Sequence, residues 1–306
     1  MGVNRMNKQQ QPTIIGKWAD PFLLRDGDDY YMYPTGDSPG WVYEKFHVFH
    51  SKDLVNWDGP YLALDLNDVE WAKTSAWAPG INKYKGKYYM YFSAEAQIGV
   101  AVSDSPLGPF KDLLGKPLLT KDEYACQSID ADLFVDDDGQ PYLLWGQGKC
   151  WIVPLGDDMV SFKSKPVLVS NQFYEQRGQD PEVFDSGVYN EGPHMQKING
   201  KYLLTWSNYD TRDPRYQICY ATADHIYGPY EIPQDNRVTR PSETYFGTGH
   251  ASMAEYKGDW YLCYHRLIDP ATGVLRETCI SKVEFIDGKP VVDVDRWLSA
   301  NGGEAE

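Results

Sequence analysis

The chain is poor in cysteine, short of cations and without any long apolar run. Its five cysteines, Cys126, Cys150, Cys219, Cys263 and Cys279, are scattered with no Cys-x-x-Cys spacing. An odd, dispersed set does not read as a disulfide framework, and Cys263, inside an apolar segment, reads as a small buried residue. Lys and Arg number 29 against 44 Asp and Glu, a formal charge of −15. Such a surface repels the phosphates of nucleic acid and opposes the approach of an acidic polysaccharide, which leaves a neutral ligand. No stretch approaches the ~18 apolar residues of a membrane-crossing helix, so membrane insertion is not expected. The polar segment from Met1 to Gln11 lacks the apolar centre of a secretory leader. The expectation is a cytoplasmic protein, or a bacterial periplasmic or secreted one whose leader has been removed.

What the chain has in quantity is aromatic residues, 14% of the total with 23 Tyr and 10 Trp. They recur in a pattern. Five times a glycine turn opens an aromatic-rich strand: Gly27-Asp-Asp-Tyr-Tyr-Met-Tyr, Gly86-Lys-Tyr-Tyr-Met-Tyr, Gly139-Gln-Pro-Tyr-Leu-Leu-Trp, Gly200-Lys-Tyr-Leu-Leu-Thr-Trp and Gly258-Asp-Trp-Tyr-Leu-Cys-Tyr. From Gly27 to Gly86 is 59 residues, and the next intervals, ending at Gly139, Gly200 and Gly258, are 53, 61 and 58. A period of that length containing only strand signals means one small sheet per repeat. Five sheets arranged radially give an all-β, five-bladed β-propeller. The expected layout is a disordered lead-in over residues 1–13, one catalytic propeller over 14–299 and a disordered tail over 300–306. The irregular segment from Asn171 to Asn190 is expected to form part of the rim around the channel mouth.

Upstream of each turn stands a residue that an innermost strand would present to the central channel: Asp20, Trp77, Asp130, Glu191 and His250. Three carboxylates, a Trp and a His would then converge on one axis. Hydrolysis of a glycosidic bond needs one carboxylic acid to protonate the leaving oxygen and one carboxylate to activate water or attack carbon. A further charge nearby raises the pKa of the acid. Asp20, Asp130 and Glu191 supply that set, with the longer Glu191 reaching the leaving group and Asp20 holding a water across the sugar.

Five phrases together resemble glycoside hydrolase family 43 over nearly the whole chain: Trp18-Ala-Asp20-Pro-Phe, Trp77-Ala-Pro-Gly, Ile129-Asp130-Ala-Asp-Leu-Phe-Val-Asp-Asp-Asp-Gly139, Glu191-Gly-Pro-His194 and Tyr264-His265-Arg266. The resemblance implies a five-bladed propeller and an inverting hydrolase of arabinose- or xylose-containing plant polysaccharides. It casts Asp20 as general base, Glu191 as general acid and Asp130 as the residue that tunes the acid. Ala131 stands where the family often has proline. Asp132, on the same face as Asp130 and one step deeper, competes for the tuning role. Arg266 matches an arginine that bonds sugar hydroxyls, with a purely electrostatic partner of the carboxylates as the alternative. The resemblance requires no cofactor. It makes His250 the contact of a structural calcium in the central channel, against the alternative of a hydrogen-bonded structural histidine.

Trp77 and Phe22 are expected to offer apolar faces to a sugar ring, with a channel plug as the other role for Phe22. His194 is expected to support the site from behind. Asp136-Asp-Asp reads as a solvated turn. The preferred activity is release of terminal α-L-arabinofuranosyl units, followed by exo-β-1,4-xylosidase and endo-arabinanase action. A sugar-binding propeller without catalysis is disfavoured because the five axial positions carry five different residues. A fructan-acting propeller family also uses an Arg-Asp-Pro phrase, but here Arg212-Asp-Pro214 follows the acid candidate and the first-blade phrase of that family is absent.

Overall fold

All five repeat glycines take positive φ, from +65° at Gly27 to +86° at Gly258. That conformation costs a side chain and costs glycine nothing. Each turn therefore folds its flanking apolar segments back as a hairpin, and each hairpin begins a blade. The computed structural model describes residues 11–268 and 275–299. The first blade is a four-stranded antiparallel sheet of β1 (Trp18–Asp26), β2 (Asp29–Gly36), β3 (Lys45–Ser51) and β4 (Asp58–Asp65). The second holds β5 (Trp77–Tyr84), β6 (Lys87–Ala94), β7 (Gln97–Ser103) and β8 (Lys111–Asp112). The third holds β9 (Asp132–Val135), β10 (Pro141–Trp145), β11 (Trp151–Pro154) and β12 (Val167–Leu168).

A short helix, α1 (Asn171–Glu175), leads to the fourth blade of β13 (Glu191–Ile198), β14 (Lys201–Asn208) and β15 (Gln217–Ala223). The fifth blade is β16 (Gly249–Tyr256), β17 (Asp259–Leu267) and β18 (Arg276–Lys282), followed by a hairpin of β19 (Glu284–Ile286) and β20 (Lys289–Val291). These are the five blades expected from the repeat.

The apolar core lies between blades. Phe46 of the first blade packs with Met90 and Phe92 of the second, and Ile98 and Val100 of the second meet Leu133 and Trp145 of the third. Leu144 of the third meets Met195 and Trp206 of the fourth, where α1 stacks Phe173 on Trp206 at 4.4 Å. Leu203 of the fourth meets Met253 and Leu262 of the fifth, and Cys263 of the fifth, buried as expected, meets Leu23 and Met32 of the first. Each interface shares one such cluster, so the ring is closed by packing at every junction.

The last residue of the expected lead-in is anchored. Thr13 is buried: its N–H donates to Thr278 O at 3.0 Å, its Oγ1 accepts from Ile280 N at 2.9 Å and donates to Leu298 O at 2.6 Å. Residues ahead of β1 thus fasten onto β18 of the last blade. The expected lead-in over 1–10 and the tail over 300–306 lie outside the described residues.

Candidate active site

The innermost strands share one irregularity, and it builds the site. In β1, β5, β13 and β16 the register advances by three residues against two on the partner: Ala19 to Phe22, Trp77 to Gly80, Glu191 to His194 and Gly249 to Ser252. In the third blade Gly146 N donates to Ile129 O while Asp132 opposes Leu144, which is the same offset. A bulge leaves one residue unpaired and re-aims it. The bulged residues are Asp20, Ala78, Asp130, Gly192 and His250, with φ of +43°, +39°, +59°, +63° and +50°. Each non-glycine among them is secured through its backbone N–H by the preceding blade. Ala78 N donates to Thr35 Oγ1 at 2.7 Å, Asp130 N to Ser93 Oγ at 3.0 Å and His250 N to Ser207 Oγ at 2.7 Å. Asp20 N donates to His265 Nδ1 at 3.1 Å.

This corrects the alignment of the five axial residues. Asp20, Asp130 and His250 are equivalent, whereas Trp77 and Glu191 stand one residue earlier, before their bulges. The spacing from axial residue to turn varies by one or two among blades, and sequence offsets alone do not resolve that. Glu191 consequently meets the site from its own position, with Gly192 behind it. A Cβ on Gly192 would lie 3.2 Å from His250 Nδ1, so a side chain at that bulge would have to push the His250 ring back by a few tenths of an ångström.

Asp20, Trp77, Asp130, Glu191 and His250 all line one open cavity of about 310 Å³ at the axis, at the small end for a ligand site. Asp20 Oδ1 accepts from Arg276 Nη1 at 2.9 Å, and His250 Nδ1 lies 3.5 Å from Asp20 Oδ1 and 3.8 Å from Asp130 Oδ2. Burial, the largest single effect, opposes ionisation of Asp20, but the Arg276 guanidinium together with His250 and His265 outweighs it and holds the carboxyl well below the usual carboxylate range. Glu191 goes the other way. Burial pushes it up to about 7, although Gln147 Nε2 (2.7 Å) and Tyr216 Oη (2.8 Å) both donate to its oxygens. Asp130 is also raised, first by burial and then by the charges of Glu191 and Asp20. Asp130 and Glu191 therefore hold a proton between them while Asp20 stays ionised. Burial lowers His250, and takes His265 down to about 4, so both rings are neutral at pH 7.

Other expected residues fall elsewhere. Arg266 does not line the cavity. It is buried behind the fifth blade, paired with Glu277 at 2.6 Å and set over the rings of Trp297 (4.0 Å) and Tyr245 (4.3 Å). Arg276 stands at the site instead, gripped by Asp37 through Nη2 (3.1 Å) and Nε (3.2 Å) and donating to Thr211 Oγ1 at 3.1 Å. The phrase Tyr264-His265-Arg266 marks the right strand, but its site residue is His265. Phe22 plugs the channel below the carboxylates, its ring centroid 5.7 Å from that of His194 with the two planes nearly perpendicular. His194 is buried behind the site: its Nδ1 faces Asp132 Oδ1 at 3.1 Å and its Nε2 accepts from Met253 N at 3.0 Å. Asp132 accepts from Met195 N as well, at 2.8 Å, so it ties blades together below the cavity that Asp130 lines. Asp136 is not merely solvated; it pairs with Lys197 at 2.8 Å.

Sequence reasoning missed Arg276, Asp37, Trp41, Gln147 and Tyr216. Trp41 lines the cavity, accepts through its carbonyl from Trp77 Nε1 at 2.8 Å and lies 5.6 Å from Arg212, itself held by Asp210. The signal for Arg276 was pairing: it opens β18 opposite Leu267, one step from the Arg266–Glu277 pair. As for a metal, calcium takes six to eight oxygen ligands. Among the described residues no group of three or more His, Cys, Asp or Glu is arranged to hold an ion, so the protein donors around His250 do not by themselves form a calcium cage.

A propeller with an ionised carboxylate and a protonated acid facing one axial cavity has the parts of a glycoside hydrolase. The sequence bears this out: glycosyl hydrolases family 43 matches residues 9–290, and the chain belongs to that family. It is 30% identical over 313 residues to the β-D-galactofuranosidase of Aspergillus niger, covering 97% of this chain and 88% of that protein. It is 29% identical to a xylosidase/arabinosidase of Bacteroides ovatus, covering 93% and 97%. Among solved structures, a thermostable family-43 glycoside hydrolase matches with a TM-score of 0.78 at 27% identity, covering 97% of both chains. Its class is therefore a glycoside hydrolase acting on carbohydrate. Among the described residues no helix is long and apolar enough to cross a membrane.

Proposed function

We propose that this chain releases terminal α-L-arabinofuranosyl units from plant-type polysaccharide or oligosaccharide with inversion at the anomeric carbon. The observation that carries the reading is the opposed state of two carboxyls on one cavity: Asp20 held ionised by Arg276, and Glu191 raised to about 7 by burial. Glu191 is the general acid. Its proton passes to the glycosidic oxygen as the bond from that oxygen to C1 breaks. Asp20 is the general base. It takes a proton from the water whose oxygen forms the new bond to C1 on the opposite face, and the two carboxyls then exchange protons with solvent. Asp130 is the modulator, and its shared proton keeps Glu191 competent. His250 packs against both aspartates, and Trp77 and Trp41 supply walls for the sugar.

The small cavity favours a single terminal sugar over an internal chain segment. The five-membered ring is favoured by the Aspergillus relative, whose name is that of a furanosidase. The name of the Bacteroides relative joins xylosidase to arabinosidase, which keeps β-xylosidase as the second reading. Initial rates on 4-nitrophenyl α-L-arabinofuranoside and β-D-xylopyranoside, with Asp20→Asn as control, test it. Faster arabinoside turnover that drops by about 10²–10⁴-fold in the control supports the proposal. Faster xyloside turnover replaces the sugar, and turnover that survives in the control removes Asp20 as base.

A further inference from the structure

Phe184 sits in the irregular segment ahead of β13 with 59% of its surface exposed, more than Tyr61 (44%) or Phe285 (41%). Its neighbour Val183 is 64% exposed. A lone exposed aromatic needs no explanation by itself, but this one has a particular address. The Phe184 ring lies over Gly148, where an added Cβ would be 3.5 Å from its edge. Gly148 N donates to Asn190 O at 2.6 Å, directly before Glu191 in the chain, and the adjoining Gln147 donates to Glu191 Oε2 at 2.7 Å. The ring is thus one residue removed from a group that touches the acid. Its backbone is fixed: Asp185 N donates to Tyr174 Oη at 3.3 Å, Gly187 N to Asp185 Oδ1 at 2.8 Å and Tyr209 N to Ser186 O at 2.6 Å.

Resting on the hydrolase reading above, we propose that Phe184 is the platform for the leaving-group sugar, the unit on the far side of the scissile bond. An acid must stand beside the oxygen it protonates, so the leaving group must lie on the Glu191 side of the cavity. A pyranose ring has an apolar face of C–H groups, and an exposed aromatic ring beside the segment that carries Gln147 matches it. Phe184 then sets a preference for substrates whose leaving group is a ring.

The test compares wild type, Phe184→Ala, Phe184→Trp and the remote control Phe285→Ala on two substrates. One is an arabinofuranosyl-substituted xylo-oligosaccharide; the other is α-L-arabinofuranosyl fluoride, whose leaving group has no ring. With Phe184→Ala the loss of kcat/KM on the oligosaccharide exceeds that on the fluoride by about twofold to twelvefold, carried mainly by KM. That is the range of one aromatic contact of ~0.5–1.5 kcal/mol. Phe184→Trp restores it, and Phe285→Ala matches wild type on both. Equal losses on the two substrates, or none, overturn the platform. If wild type hydrolyses β-D-xylosyl fluoride but not the arabinosyl fluoride, the sugar assignment fails and the platform is judged on the xylosyl pair. If it hydrolyses neither fluoride, both proposals fail together.

Discussion

At the residue scale the chemistry depends on where protons sit. Glu191 and Asp130 are both raised, so their last common proton is retained by burial and by the repulsion that its loss would create. The sign follows directly. The protonated acid is the active form, so activity is present below the pKa of that last proton and is lost as pH rises through it. Asp130→Asn removes the repulsion and leaves burial, which moves the basic limb of the kcat/KM profile downward. An unmoved limb in that variant would pass the tuning role to the charges that raise Glu191 directly, Asp20 first and Asp210 after it. The acid limb belongs to Asp20 and stays at the low-pH edge, because Arg276 is untouched.

At the scale of elements, the residues that hold the acid are packed as tightly as the acid itself. Tyr216, which donates to Glu191, stacks on His265 at 5.4 Å and fits only because residue 249 is glycine. A Cβ there would stand 2.1 Å from the Tyr216 ring. Gly249→Ala therefore drives Tyr216 away from Glu191. The expected result is a fall in kcat on the order of 100-fold, the scale of a small misplacement at a reacting centre, with a stability loss of about 1–3 kcal/mol. Activity within twofold of wild type would mean that Tyr216 does not orient the acid.

The strands and turns around it were legible from the chain alone, because a glycine at positive φ and an alternating aromatic strand leave strong local marks. Asp20, Asp130 and Glu191 were legible for the same reason: each lies at a short offset from such a turn. Arg276 and Tyr216 were not. Arg276 reaches the axis from the third strand of its blade and Tyr216 from a loop, so their place depends on pairing partners that carry no local mark. Arg266 misled because an arginine next to His265 on one strand faces the opposite side of the sheet.

At the scale of the molecule, stability rests on closing a ring whose first and last blades are far apart in sequence. The apolar cluster between them is reinforced by Thr13, whose hydroxyl both accepts from Ile280 N and donates to Leu298 O. Thr13→Val keeps the shape and removes both bonds, leaving a buried N–H and a carbonyl without partners. The expected loss is about 1–3 kcal/mol, read as a lower guanidinium midpoint with an unchanged slope, while kcat at 25 °C stays near that of wild type. No change in midpoint would assign closure to apolar packing alone.

The bulge repeated in all five blades is a set of interchangeable mounts. In four of them a hydroxyl or an imidazole from the neighbouring blade holds the backbone of the mounted residue and makes no demand on its side chain. Backbone support and chemical identity are therefore separable here. The ring can keep its shape while its axial residues are exchanged, and a protein with fivefold scaffolding can evolve a site with no symmetry at all. The second blade carries Ala78 on its mount, a methyl group where three of the other blades carry an ionisable side chain.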